Sequence, residues 1–197
     1  MKESLRKSGI DIIGDIPWGT HICQFYQTKE DLMDTLVSYF KTGLENNEFS
    51  MWITSEPLEV EDAKEFLRVA VPDIDSYLEK GQIQIIPYYR FYTEEGAFDS
   101  EGVLNVLVEK LNKALASGYD GLRLSRNALC LEKKDWSDFV NHEIKLDSDI
   151  GNYQMITLCT YSLDRFDAPE VIEVAINHQF VLIKREGKLE QIKNSQV

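Results

Sequence analysis

The stretch from Ile16 to Pro57, IPWGTHICQFYQTKEDLMDTLVSYFKTGLENNEFSMWITSEP, decides the fold. Pro17 and Gly19 lead into His21–Tyr26, where Ile22, Cys23, Phe25 and Tyr26 leave both faces largely apolar, as a central parallel strand requires. Thr28 followed by Asp31 predicts an N-cap and an acidic first helical turn. Leu32, Leu36, Val37, Phe40 and Leu44 then recur at spacings of three and four, which gives a helix one buried stripe. After the turn Glu45-Asn46-Asn47-Glu48, the run Phe49–Ser55 reads as a second strand. Strand, turn, helix and strand in this order form the opening of a nucleotide-binding α/β domain. The first turn is where a phosphate loop would sit, with glycines that let backbone N–H groups close on phosphate and a lysine that neutralises it. Here the turn reads Tyr26-Gln27-Thr28-Lys29-Glu30-Asp31, without a glycine and with Glu30 and Asp31 where a triphosphate would lie. The scaffold is retained and the phosphate chemistry is not.

Outward from this stretch the pattern repeats. Pro57 opens a helix through about Val69, and VPDIDSYLEKG predicts a short helix closed by Gly81. Ile83–Pro87 is a third strand, followed by Tyr88–Tyr92 running into a loop with Gly96. Asp99 or Ser100 caps a helix carrying Val103, Leu107, Leu111 and Leu115 and ending at Gly118. Leu122–Ser125 is a fourth strand, and Trp136, Phe139, Val140, Ile144 and Leu146 lie on a helix beyond a linker around Cys130. Tyr153–Tyr161 is a fifth strand, and Pro169 opens a helix to about Asn177. Phe180–Lys184 and Leu189–Ile192 can close as an edge hairpin around Glu186-Gly187. Such alternation predicts a mainly parallel sheet with helices on both faces. We therefore expect a polar segment over residues 1–15, one domain over 16–192 and a tail over 193–197.

Lys and Arg number 21 against 34 Asp and Glu, a net charge of −13 spread along the 197 residues. That field opposes direct contact with nucleic acid or anionic membrane, and no basic cluster offsets it. Cys23, Cys130 and Cys159 are widely spaced and read as reduced thiols of a cytoplasmic protein. MKESLRKSG lacks an apolar core for a signal peptide, and no run approaches the ~18 apolar residues of a membrane span.

In open α/β sheets ligands bind beyond the carboxyl ends of the strands. That rule selects Tyr26 and Gln27, Ser55 and Glu56, Tyr88 and Tyr89, Arg123 and Ser125, and Thr160 and Tyr161. Aromatic rings with sparse polar fixings suit a small-molecule pocket; the same tyrosines could instead merely cap the sheet. A metal reading would join His21 and His178 to Cys23 or Cys159, but no second close pair accompanies His21-x-Cys23, so structural histidines are expected and no metal. Glu143, beside His142 on a helix, is expected to be solvated; turned inward, it would need a cation, for which Arg123 is the candidate. No G-x-S-x-G elbow is present, and the apolar neighbours Ile156 and Leu158 predict an inert Cys159, as those of Cys23 do for it. No enzyme activity and no cofactor are expected.

Taken together, His21-x-Cys23-x-Phe25-Tyr26, Gly43-Leu44 with Asn47-Glu48, Gly118-Tyr119-x-Gly121-Leu122-Arg123, Glu143, Leu158-Cys159-x-Tyr161 with Phe166, and His178 resemble the MEDS (methanogen/methylotroph, DcmR sensory) family, from about Gly14 to Ile192. The resemblance implies a RecA/KaiC-like three-layer sandwich without a working phosphate loop, serving as a sensor of small hydrocarbon derivatives, such as methylated or halogenated one-carbon compounds. It also implies a signal passed to a transcription or kinase partner, and polar site positions at His21, Tyr26, Arg123, Glu143, Tyr161 and His178. Phe25, Ser55, Glu56 and Tyr88 complete the expected ligand site. With no DNA-binding or kinase segment in the sequence, output would pass through a separate partner or self-association. A degenerate nucleotide-binding protein and a ligand-free interaction module stand as alternatives.

Overall fold

The computed structural model describes residues 5–92, 100–127 and 136–192. The turn at Gly96, the cap at Asp99, the linker at Cys130 and the tail 193–197 lie outside them. In chain order the elements are β1 (Leu5–Lys7), β2 (Asp15–Pro17), β3 (Thr20–Tyr26), α1 (Lys29–Glu45), β4 (Phe49–Thr54), α2 (Val60–Ala70), α3 (Ile74–Glu79), β5 (Ile83–Pro87), α4 (Tyr88–Tyr92), α5 (Ser100–Ala116), β6 (Leu122–Asn127), α6 (Trp136–Ile150), β7 (Met155–Ser162), α7 (Ala168–Ile176), β8 (Phe180–Arg185) and β9 (Lys188–Ile192).

The main sheet has seven strands in the order β5-β4-β6-β7-β3-β8-β9. All neighbours pair in parallel except β8 and β9, which form the expected closing hairpin. The first strand of the opening motif therefore lies deep inside the sheet, and every one of its residues is buried. Strand alternation sends Ile22 and Tyr26 to one face and Cys23 and Phe25 to the other. On the first face α1 contributes Leu32, Leu36, Tyr39, Phe40 and Leu44, joined by Ala63 and Leu67 of α2 and Ile74 of α3. On the second, α5 covers β4 and β6 through Leu107 and Leu111, while Phe139 of α6 and Val174 of α7 cover β3 and β7.

Three local expectations change. Pro57, read as opening a helix, lies in the turn after β4, and α2 starts at Val60 behind the cap residue Glu59. Within the segment 1–15, read from its polarity as lying outside the domain, Leu5–Lys7 forms a strand that pairs antiparallel with Asp15–Pro17. Buried polar partners hold it: Arg6 donates to Glu48, and the Lys7 and Ser8 carbonyls accept from Arg123. Tyr88–Tyr92, read as the start of a loop, is one turn of helix.

Candidate functional site

At the start of α1 the protein's own oxygens take up part of what would hold an anion. Thr28 Oγ1 accepts from the Asp31 N–H at 3.1 Å, as its capping position requires. Asp31 is buried, and its Oδ1 accepts from the Gly187 N–H of the β8–β9 turn at 3.2 Å. Free N–H groups and a positive helix end are what make a helix start bind phosphate. Here the Thr28 hydroxyl takes one of those N–H groups and the buried Asp31 carboxylate places negative charge in the first turn, which opposes an anion there.

A different set of polar groups converges on the opposite face of the sheet, beneath α6 and α7. His21 enters from β3, Cys159 from β7, Arg126 from β6, Glu143 with His142 from α6, and His178 from the turn after α7; all are buried. The i, i+4 spacing of Glu143 and Asp147 puts both carboxylates on one side of α6, above His21. Arg126 donates to Glu143 Oε1, to Cys159 Sγ at 3.3 Å and to His142 Nε2 at 2.7 Å. His21 Nε2 stands 3.4 Å from Cys159 Sγ and 3.4 Å from Glu143 Oε2. His178 Nε2 lies 3.3 Å from the same Oε2, while its Nδ1–H donates to the Val174 carbonyl at 2.8 Å. The two imidazole rings are 3.9 Å apart.

Burial opposes charge throughout this cluster, and the neighbours overcome it. The Cys159 sulfur, Asp147 and Glu143 raise the pKa of His21 well above its ordinary value against desolvation. Desolvation and Glu143 disfavour a Cys159 thiolate, but Arg126, His21 and His178 favour it, and the thiol is brought down to about 6. Arg126 and both histidines hold Glu143 well below the usual carboxylate range, again against burial. Cys23, for which burial, Cys159 and Glu143 all act in one direction, is pushed well up.

These groups are not all satisfied. Among the described residues, His21 Nδ1, Glu143 Oε2, Asp147 Oδ1, His178 Nε2 and the Tyr161 hydroxyl are buried without a hydrogen-bond partner. Buried polar atoms are nearly always paired, so several orphans in one place indicate bonding capacity held in reserve. His21, Glu143, Cys159 and His178 each offer a ligand atom, and these atoms lie within 4.8 Å of one another. One flank of the cluster is aromatic. Tyr161 packs on Phe25 at 5.6 Å, Phe166 at 5.8 Å and Phe139 at 6.2 Å, and Trp136 continues the wall from Phe139.

Of the expected site residues, the fold brings together His21, Phe25, Glu143, Tyr161 and His178. Arg123 is elsewhere. The Arg123–Glu143 pair expected for an inward glutamate does not form, because Arg123 points to the α1 face and pairs with Glu48, whereas Arg126 meets Glu143. Positions three apart on a strand face opposite sides. Tyr26 also turns to the α1 face, where its hydroxyl accepts from Asn127 Nδ2 at 2.9 Å and burial raises its pKa to about 12. Ser55 is buried and Glu56 exposed in the turn after β4, while Tyr88 is half-buried beside the exposed Tyr89. None of these joins the cluster. Solvation of Glu143 is likewise corrected, and the neighbours of Cys159 in space are the polar Arg126 and His21 rather than the apolar groups that flank it in sequence. Arg126 and Asp147 are not among the expected residues; period-two alternation from Leu122 and Leu124, and the Glu143–Asp147 spacing, are the signals that point to them. Two surface clefts of about 240 and 220 Å³, lined around Lys80 and Lys110 and around Ser8 and Asp15, include none of these residues.

The sheet and its helices define a KaiC-like α/β domain. A KaiC-like protein from the hyperthermophilic archaeon Pyrococcus horikoshii superposes with a TM-score of 0.62 at 17% identity, covering 96% of this chain and 86% of that one. The flagellar accessory protein FlaH from Methanocaldococcus jannaschii gives 0.60 at 11% identity, covering 96% and 85%. Within that class the chain belongs to the MEDS family, the MEthanogen/methylotroph, DcmR Sensory domain, whose family model matches residues 20–179. Membership supports a sensory or regulatory role. No curated protein matches the chain significantly. Among the described residues, no helix is long and apolar enough to cross a membrane.

Proposed function

We propose that this chain is a non-catalytic sensory domain that binds a small, uncharged or weakly charged hydrocarbon derivative, such as a methylated or halogenated one-carbon compound, and signals to a separate transcription or kinase partner. The observation that carries the reading is the set of polar atoms beside an aromatic wall beneath α6 and α7. On the α1 side Thr28 caps the helix start, and the Asp31 carboxylate accepts from the Gly187 N–H. Beneath α6 and α7, polar atoms without partners adjoin the aromatic wall of Phe25, Phe139 and Tyr161. An apolar body with one polar handle suits such surroundings. Family membership supports the sensory role. A buried Cys159, 2% exposed, is poorly placed to attack a substrate, which favours binding over catalysis.

A ligand that binds only the folded chain stabilises it by mass action, about 2.7 kcal/mol at a hundredfold excess over Kd. Methylated amines, thiols, alcohols and chloromethanes at millimolar concentration should therefore include at least one that raises the melting temperature of the full chain. Calorimetric titration with ATP and magnesium should give no binding heat. Silence across the organic panel sinks the reading, and a nucleotide heat replaces it with the degenerate nucleotide-binding alternative.

One observation favours a second reading, an interaction module that works by self-association. Ile172 and Ile176 lie one turn apart on α7 and are 61% and 67% exposed. A concentration-dependent dimer in sedimentation, with no response to any small molecule, would promote it.

A further inference from the structure

We propose that His21, Glu143, Cys159 and His178 form a closed, four-coordinate site for a divalent transition ion of the zinc type. The inference concerns the same buried cluster as the sensory reading but does not depend on which organic molecule, if any, is sensed.

Two polar atoms of the cluster, His178 Nε2 and Glu143 Oε2, face each other. The Val174 carbonyl can only accept, so His178 Nδ1 carries the hydrogen of that bond, and a neutral ring offers its lone pair at Nε2. That lone pair points at Glu143 Oε2, itself an acceptor, 3.3 Å away, and neither atom has a hydrogen-bond partner. Such a pair is bridged either by a proton on Nε2 or by a metal ion.

Three of the six separations among the four ligand atoms match a metal site, and all six are within 4.8 Å. With metal–nitrogen and metal–oxygen bonds of about 2.0–2.2 Å and metal–sulfur of about 2.3 Å, the ligand atoms of a tetrahedral site stand roughly 3.3–3.6 Å apart. His21 Nε2 to Cys159 Sγ is 3.4 Å, His21 Nε2 to Glu143 Oε2 is 3.4 Å, and Oε2 to His178 Nε2 is 3.3 Å. Ligating histidines commonly give their other ring N–H to a carbonyl or carboxylate, which fixes the ring. His178 has the Val174 carbonyl for this role, and His21 Nδ1 has Asp147 Oδ1 at 3.4 Å. The charges also close. Glu143, Asp147 and a Cys159 thiolate are balanced by the Arg126 guanidinium, held on Glu143 Oε1, and a divalent ion beside Oε2. Nitrogen, sulfur and carboxylate donors together select zinc or a chemically similar ion over calcium or magnesium, which prefer oxygen alone. Four protein ligands leave no coordination position free for a substrate, which makes the ion structural or regulatory.

The test uses the full chain, purified and equilibrated with Zn²⁺, then desalted and assayed by elemental mass spectrometry. About one ion per chain is expected. Replacement by Co²⁺ should give thiolate-to-cobalt charge transfer and the ligand-field bands of a tetrahedral ion. Cys159→Ser and His178→Gln should lose the stoichiometric ion, Cys23→Ser should keep it, and Asp147→Asn should weaken binding about 10–100-fold. Circular dichroism checks that each variant is folded. A wild-type chain without stoichiometric metal overturns the site, and so do Cys159→Ser and His178→Gln chains that retain it. Should those variants fail to fold, the wild-type Co²⁺ spectrum decides: lack of the charge-transfer band overturns the site. An organic panel without response leaves these readouts untouched, so the two proposals fail separately.

Discussion

Arg123 and Arg126 stand on the same strand, are both buried, and hold a glutamate each, yet their surroundings differ in kind. Arg123 spends its donors on Glu48, on the Ser8 and Lys7 carbonyls at 2.7 and 2.8 Å and on the Tyr39 carbonyl, and its guanidinium lies 4.6 Å from the Tyr39 ring. The second oxygen of Glu48 accepts from Arg6. That network is complete. Arg126 ties down Glu143, Cys159 and His142 but leaves the inner oxygen of Glu143 and the facing nitrogen of His178 unpartnered. A buried charge by itself therefore does not distinguish scaffold from site; what separates the two is whether the surrounding polar atoms are all spent.

The sharpest way to break this comparison is Arg123→Met, which strands Glu48 among buried groups. We expect a loss of about 3–5 kcal/mol in urea unfolding. A variant as stable as the parent would show the α1-side network to be dispensable. Gly43→Ala comes next. A Cβ there would sit 2.6 Å from Arg123 Cδ and 2.7 Å from its Nε, so the side chain must shift. Overpacking of this kind costs about 1–3 kcal/mol. A stability change indistinguishable from zero would mean that Arg123 has room to move.

A double-mutant cycle sharpens the comparison. Arg126→Met and Glu143→Gln should couple by about 0.5–3 kcal/mol, whereas Arg123→Met and Glu143→Gln should add within roughly 0.5 kcal/mol. The reverse outcome would reassign the glutamate to the other arginine. The smallest effect belongs to the start of α1. Thr28→Ala should cost about 1 kcal/mol, as lost caps do, and should not create affinity for ATP, because the Asp31 carboxylate still places negative charge in the first turn. Nucleotide binding by this variant would contradict this account of the helix start.

The fold was largely legible because its signals are local. The stripe from Leu32 to Leu44, the apolar His21–Tyr26 and the turn at Glu186-Gly187 each name their own element, and strand alternation with helices implies a parallel sheet. The β1–β2 ribbon was not legible, since what holds it is the distant Arg123 reaching the carbonyls of Lys7 and Ser8. The cluster was legible only in part. Its members come from β3, β6, α6, β7 and the turn before β8, so no spacing in the chain brings them together. Resemblance picked out His21, Glu143 and His178 but also Arg123, which keeps Gly43 and Glu48 company on the other face. Counting strand positions from Leu122 would have favoured Arg126, and the flanking Leu158 concealed the polar side of Cys159. Sequence neighbours of a strand residue mostly face away from it.

The closing hairpin has a consequence for how the chain behaves in company. β9 carries Lys188 and Glu190 and pairs along β8, whose Val181 and Leu182 are buried. Short, charged outer strands discourage a sheet from recruiting a neighbour's backbone. A chain cut after Arg185 would bare the N–H and C=O row of an apolar strand, and light scattering should register the resulting aggregation.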